Sequence, residues 1–359
     1  MKYFIENNSI VSDDYRFVFL CGSKFNRNNK RDKRKVLKAL LDKENDVRTI
    51  ILEDNFAFNT KNDLLGYEDI DLFDLYHIET LVNCISDSTI IIHESISTGA
   101  EAGLFLGNQR AWNKTCLLIP EITAVEEDKL GAFLRYAIRK TNNRCKLLYF
   151  TPTINKHYTS NTLSVWYTFF IDDSIGTKLK KEILDFVNGC SRIRNIVFSN
   201  DKNKSPDEGF IYYKIDDTKL HITIGLRVLL ICISALFSIK DYRDEFITRD
   251  CLRDVIACIY EKLKELCINS VMEINGSLIS SCTVKPSISS SNITIHQAVG
   301  MCLYLYKAAD LITINTTSKK EKSKKLFSFK VQKNALGKNE LFYQRYSNII
   351  KEVIPDLIK

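Results

Sequence analysis

Between Arg16 and about residue 120 the chain alternates short, β-rich apolar runs with segments of helical periodicity, and this restricts the possible folds more than any other feature. "RFVFLCGS" (16–23) reads as a buried strand ending in a turn, and "VRTIILED" (47–54) as a second strand ending in two acids. "TIIIHES" (89–95) and "KTCLLIP" (114–120) supply two more. Between them, Val36, Leu37, Leu40 and Leu41 recur at helical spacing under a charged face. Leu75, Ile78, Leu81, Val82 and Ile85 do the same, and "GAEAGLFLGNQ" (99–109) reads as a helix. Strands joined by helices predict an α/β fold whose parallel sheet is covered on both faces. Ligands of such sheets bind beyond the carboxyl ends of the strands. Cys21, Gly22 and Ser23, then Glu53 and Asp54, then Glu94 and Ser95 all fall there.

The remainder reads differently. "NKHYTSNTLSVWYTFFIDDS" (155–174) is a weakly patterned connector, after which helical periods dominate over 178–187, 222–237 and 248–267. The Ser-rich "SLISSCTVKPSISSSN" (277–292) reads as a loop. A helix running into a strand, a lysine-rich segment and the alternating "LFSFKVQ" then outline a winged-helix-like end, an order shared by any basic hairpin. The expected division is a catalytic domain over 1–152, a mainly helical connector and partner-binding region over 153–265, and a basic C-terminal region over 266–359.

Eleven cysteines, odd in number and without a CxxC pair, argue for a reducing cytoplasm and against a disulfide framework or a structural zinc site. Five histidines without paired spacing argue against a catalytic metal. The N-terminal residues lack an apolar signal core, and Arg227 interrupts the most hydrophobic segment (222–239), which therefore reads as a buried helix rather than a membrane span. Net charge is +7, and residues 315–338 hold eight lysines against one glutamate. Lys319, Lys320, Lys322, Lys324, Lys325 and Lys330 are accordingly candidate nucleic-acid contacts, with Phe327 and Phe329 either stacking on bases or packing in a core.

The chemistry concentrates in "HESISTGAEAG" (93–103). Glu94 closes a strand, and Glu101 lies early in the next helix. Ser95, Thr98 and Gly99 between them can offer hydroxyls and backbone N–H groups to a ligand at a helix N-terminus. Two carboxylates so placed can attack or stabilise a sugar carbon with oxocarbenium character, or can simply favour the helix dipole. Glu53 and Asp54 either bind ribose hydroxyls or cap a helix. Cys21 either backs a ligand or is structural, and "RNNKRDKRK" (27–35) reads as a solvated helix start.

Strand–Cys–Gly, then "LED", then Glu79 eight residues before Asp87, then "ES…GAEAG" resembles the nucleoside 2-deoxyribosyltransferase family over about residues 16 to 120. Within that superfamily the order is similar to that of the deoxyribosyltransferase-like effectors of bacterial retrons. The resemblance implies a flavodoxin- or Rossmann-like catalytic domain with Glu101 as nucleophile and Glu94 and Glu79 contacting the sugar. Glu stands at both of the latter positions where the family usually has Asp, which puts transfer to a free base in doubt and leaves hydrolysis. No counterpart of the family's C-terminal base-binding residues is identifiable. The resemblance implies a toxic N-glycosidase acting on NAD⁺ as substrate, with no cofactor, restrained by a reverse transcriptase and its multicopy single-stranded DNA, and assembling as a homo-oligomer. Two alternatives stand beside it: an N-glycosidase or deoxyribosyltransferase acting on another nucleoside or nucleotide, and a nucleotide-sensing, nucleic-acid-binding regulator without turnover.

Overall fold

The computed structural model describes residues 2–353 except 13, 23–28, 58–64, 73, 121–144, 153–167, 289–291, 316–325 and 335. Contacts divide the chain into two compact units, neither of them one continuous stretch. One comprises Tyr15–Asp54 and Ser86–Arg192; the other comprises Met1–Asp14, Asn55–Ile85 and Ile193–Lys359. The boundaries at 152 and 265 expected from composition do not coincide with these.

The first unit is built on five parallel strands: β1 (Arg16–Cys21), β2 (Val47–Ile50), β3 (Ser88–Ile92), β4 (Thr115–Pro120) and β5 (Lys146–Phe150). Their order is β2-β1-β3-β4-β5. In this doubly wound order the connection reverses between β1 and β3, the point beyond whose carboxyl ends such sheets bind their ligands. The strands read as unbroken apolar runs because both faces are covered: all five residues of β3 and five of six in β1 and β4 are buried. On one face Val18, Leu20, Ile90, Ile92, Leu118 and Phe150 join a core with Leu37 and Leu41 of helix α1 (Lys33–Leu41). Leu179, Ile183 and Val187 of helix α3 (Thr177–Gly189) complete that layer. On the other face Phe105 of helix α2 (Ile96–Leu106) meets Phe19 edge to face at 6.0 Å. Asp87 ties the start of β3 to β1: its carboxylate accepts from the Phe17 N–H at 2.8 Å and its own N–H donates to the Phe17 carbonyl.

The second unit combines helices with strands. It holds a mixed sheet of five strands in the order Ser281–Pro286, Lys219–Ile224, Phe210–Asp216, Asn195–Ser199, Ser9–Ile10. Two expectations are corrected here. The helical reading of 222–237 begins as a strand, and the helix starts only at Leu226, after Gly225. The Ser-rich stretch contains a strand, because its Ser and Thr alternate outward between buried Cys282 and Val284. The helix Leu226–Ser238 is buried nearly all round, as its apolar composition requires. Its Arg227 donates to Asp14 at 2.5 Å, and the second Asp14 oxygen accepts from the Tyr346 hydroxyl, also at 2.5 Å. Among the described residues no helix is long and apolar enough to cross a membrane.

The helix–strand–strand order near the end is present: helix Ile295–Ala308 leads to strand Ile312–Ile314, which pairs antiparallel with Phe327–Phe329. Lys319, Lys320, Lys322, Lys324 and Lys325 lie outside the described residues. Phe327 is fully buried, and Phe327 and Phe329 pack with Phe237, with Phe329 also against Phe342 and Tyr343, so both rings belong to a core and not to a stacking platform. Lys330 pairs with Asp310.

Candidate active site

At the carboxyl ends of β1, β2 and β3 the chain gathers charge. The Ile92–Ile96 turn leads into α2, whose N-cap is Ser95: its hydroxyl accepts from the Thr98 N–H, and the Thr98 hydroxyl accepts from the Ser95 N–H at 3.1 Å and donates to the Ser95 carbonyl at 2.7 Å. This reciprocal cap fixes where the helix begins. It also engages the Ser95 and Thr98 hydroxyls that the sequence offered as ligand contacts, and Thr98 is fully buried. A side chain at Gly99 would meet only His93, at an ordinary 3.4 Å. His93 also contacts Thr98, and burial pushes its imidazole below the usual range, which keeps it neutral.

Glu101 comes about one and two-thirds helical turns after the cap. Its Oε2 is buried and has no hydrogen-bond partner among the described residues. Desolvation, then the neighbouring Glu53 carboxylate, push its pKa up to about 7, against a smaller opposing pull from the Arg34 guanidinium. A carboxyl group in this state is costly to the fold, because a buried acceptor without a donor forfeits its hydration. Glu94 is differently placed, exposed, with Oε1 accepting from Lys33 Nζ at 2.8 Å. That ammonium also lies 5.5 Å and 5.7 Å from the ring centres of Phe150 and Phe170.

Glu53 and Asp54 sit on one helical turn, Leu52–Asn55, directly after β2. Glu53 accepts from Arg34 Nη1 at 2.9 Å. Arg34 corrects the expectation of a solvated basic helix start: it is only 1% exposed. Its backbone N–H is capped by Asp32 at 3.0 Å, and its guanidinium reaches Asp32 at 3.3 Å. Its stem lies on Gly22, where an added Cβ would stand 3.0 Å from Arg34 Cδ. The glycine after β1 is therefore explained by close approach of a buried cation. A signal was present, since counting back three residues from buried Leu37 along α1 gives Arg34 on the same face. Cys21 is buried, and Ser23 lies outside the described residues. Glu79 is buried in the helix Leu75–Ile85, which belongs to the other unit. His77 on that helix pairs with Asp74.

A cavity of about 540 Å³ lies at the opposite end of the parallel sheet, lined by Trp112, Cys145, Lys146, Glu182 and Cys190 among others. Burial pushes the Cys145 and Cys190 thiols up to about 12, which leaves them protonated and poor nucleophiles. Among the described residues no group of three or more metal-ligating side chains is assembled.

The site thus defines a doubly wound α/β protein with an unpaired acid at its strand ends. A family model, the STM3845 retron effector protein, matches residues 30–314, and the chain belongs to this family of retron effectors. Membership links it to retron-associated defence. No curated protein matches it.

Proposed function

We propose that this retron effector hydrolyses the N-glycosidic bond of a nucleotide, with NAD⁺ as the favoured substrate, on a nucleoside deoxyribosyltransferase-like domain. The observation that carries this reading is the buried, partnerless oxygen of Glu101 on the helix that follows β3 of the parallel sheet. When the bond between C1′ and the nicotinamide nitrogen breaks, its electron pair neutralises the pyridinium, so this leaving group needs no general acid. Positive charge develops at C1′, where the Glu101 carboxylate can stabilise it or bond to it. Water then adds at C1′ and loses a proton, giving ADP-ribose. Glu94, held by Lys33, and Glu53, held by Arg34, are positioned to accept from ribose hydroxyls. In this reading a reverse transcriptase with its single-stranded DNA restrains the activity, and the effector acts in the cytoplasm as a homo-oligomer.

The test is nicotinamide release from NAD⁺ by purified wild type and Glu101→Gln. Release by the wild type and a loss of at least about 100-fold in the variant are expected. Equal release by both would contradict the role given to Glu101.

One observation favours a second reading. An acid with a pKa of about 7 is half protonated at neutral pH and can donate to a neutral leaving base, as an N-glycosidase acting on another nucleotide requires. Metabolite profiling of cells expressing wild type or Glu101→Gln separates the two, since only the first depletes NAD⁺.

A further inference from the structure

The cavity at the amino ends of β4 and β5 lies wholly within the first unit and has two unlike walls. One is a single flank of α3: Glu182, Asp185, Phe186 and Gly189 follow the i, i+3, i+4, i+7 spacing that sets residues side by side on a helix. The other is the start of two neighbouring strands. Trp112 precedes β4, Cys145 and Lys146 open β5, and the register sets Cys116 of β4 beside Lys146. At about 540 Å³ the void has the size of sites that hold small organic molecules.

We propose that this cavity binds a free aromatic amino acid, its ammonium held by Glu182 and Asp185, its carboxylate by Lys146 and its ring against Trp112 and Phe186. The lining carries both signs of charge, and among the described residues the Glu182, Asp185 and Lys146 side chains make no hydrogen bond and no ion pair. Three further charges act on the Cys190 thiol, and each is engaged elsewhere. Lys114 donates to the Ser86 carbonyl at 2.8 Å, Arg16 pairs with Asp46, which also holds Arg192, and Asp87 accepts from the Phe17 N–H. Lys178 and Lys181, one turn before the two acids on α3, are exposed, lie off the lining and make no ion pair with either acid. A zwitterion therefore meets an opposite charge at each end. A plain cation would face Lys146, and a plain anion would face two acids. The last turn of α3 borders the void at Gly189, and its carbonyls favour an ammonium there. The rest of the lining suits a ring. The Trp112 indole N–H donates to the Leu106 carbonyl at 2.9 Å, which engages its polar edge within the protein, and the Cys145 and Cys190 thiols are neutral. The site stands at the end of the sheet away from Glu101 and does not depend on its chemistry.

The experiment is isothermal titration calorimetry of the full-length protein with L-tryptophan, L-phenylalanine and L-tyrosine. Each is tested beside the amine that lacks its carboxylate and the acid that lacks its ammonium. The tightest of the three should bind at least about 10-fold more tightly than its own amine and its own acid, the ratio that one lost charge-assisted contact gives. Glu182→Gln/Asp185→Asn should weaken binding and remove the preference over the acid, and Lys146→Gln should remove the preference over the amine. A Cβ at Gly189 meets nothing within 4 Å, so Gly189→Leu should fill the void and abolish binding with an unchanged thermal transition. Three outcomes overturn the proposal: none of the amino acids binds, the amine or the acid binds as well as its parent, or binding survives all three variants.

Discussion

Each unit holds an acid with at least one buried oxygen under the influence of an arginine, and the two acids are treated in opposite ways. Both oxygens of Asp14 are taken, one by Arg227 and one by the Tyr346 hydroxyl. Glu101 keeps a buried oxygen without a partner, while the nearby Arg34 spends its hydrogen bonds on Asp32 and Glu53. A matched buried charge holds elements together, because removing either partner strands the other. An unmatched one is a cost that a fold retains when something else must occupy the vacant direction.

The largest expected effect sharpens the structural side of this contrast. Asp14→Ala leaves Arg227 and Tyr346 without their common acceptor and should cost about 3 to 5 kcal/mol by denaturant titration. A loss below about 1 kcal/mol would mean that the Asp14 cluster is no more structural than a surface pair. Arg34→Ala comes next. It removes the opposing pull on Glu101, so turnover at neutral pH should fall by about 10-fold or more, partly recovered in alkaline buffer as Glu101 ionises. Stability alone cannot produce that recovery.

The smallest effect is the most specific. If Glu101 acts as a carboxylate, kcat/KM rises with pH through about 7, and Glu53→Gln moves the inflection to lower pH because Glu53 raises the Glu101 pKa. A rate that falls through the same range would favour the general-acid reading and another leaving group.

How far these features could be read beforehand depended on burial. Strands β1, β3 and β4 were legible because a parallel sheet covered on both faces leaves uninterrupted runs such as Ile90-Ile91-Ile92. The strand Lys219–Ile224 was not, since its apolar end runs into the buried helix Leu226–Ser238 with only Gly225 between them. Ser281–Pro286 was hidden by the Ser and Thr on its outer side. The division into units escaped local pattern altogether, because the segments 1–14 and 55–85 pack with residues far along the chain. At the site, the strand-end position of Glu94 and the helical position of Glu101 were legible, but the burial of the Glu101 oxygen was not. Lys33 and Arg34 looked like solvated charges, and only tertiary packing sets one against Glu94 and the other on Gly22 beside Glu53.

The most direct measurement pairs stability with turnover in Glu101→Gln. The raised pKa of Glu101 means that the folded state holds its proton between about 4.5 and about 7 while the unfolded state has lost it. Stability from this group therefore falls as pH rises through that window. The variant cannot ionise, so it should lose this slope, melt no lower than the wild type at pH 8 and release essentially no nicotinamide. A variant that melts lower than the wild type across the whole range and still turns over would contradict the account, because Glu101 would then be a structural acid like Asp14.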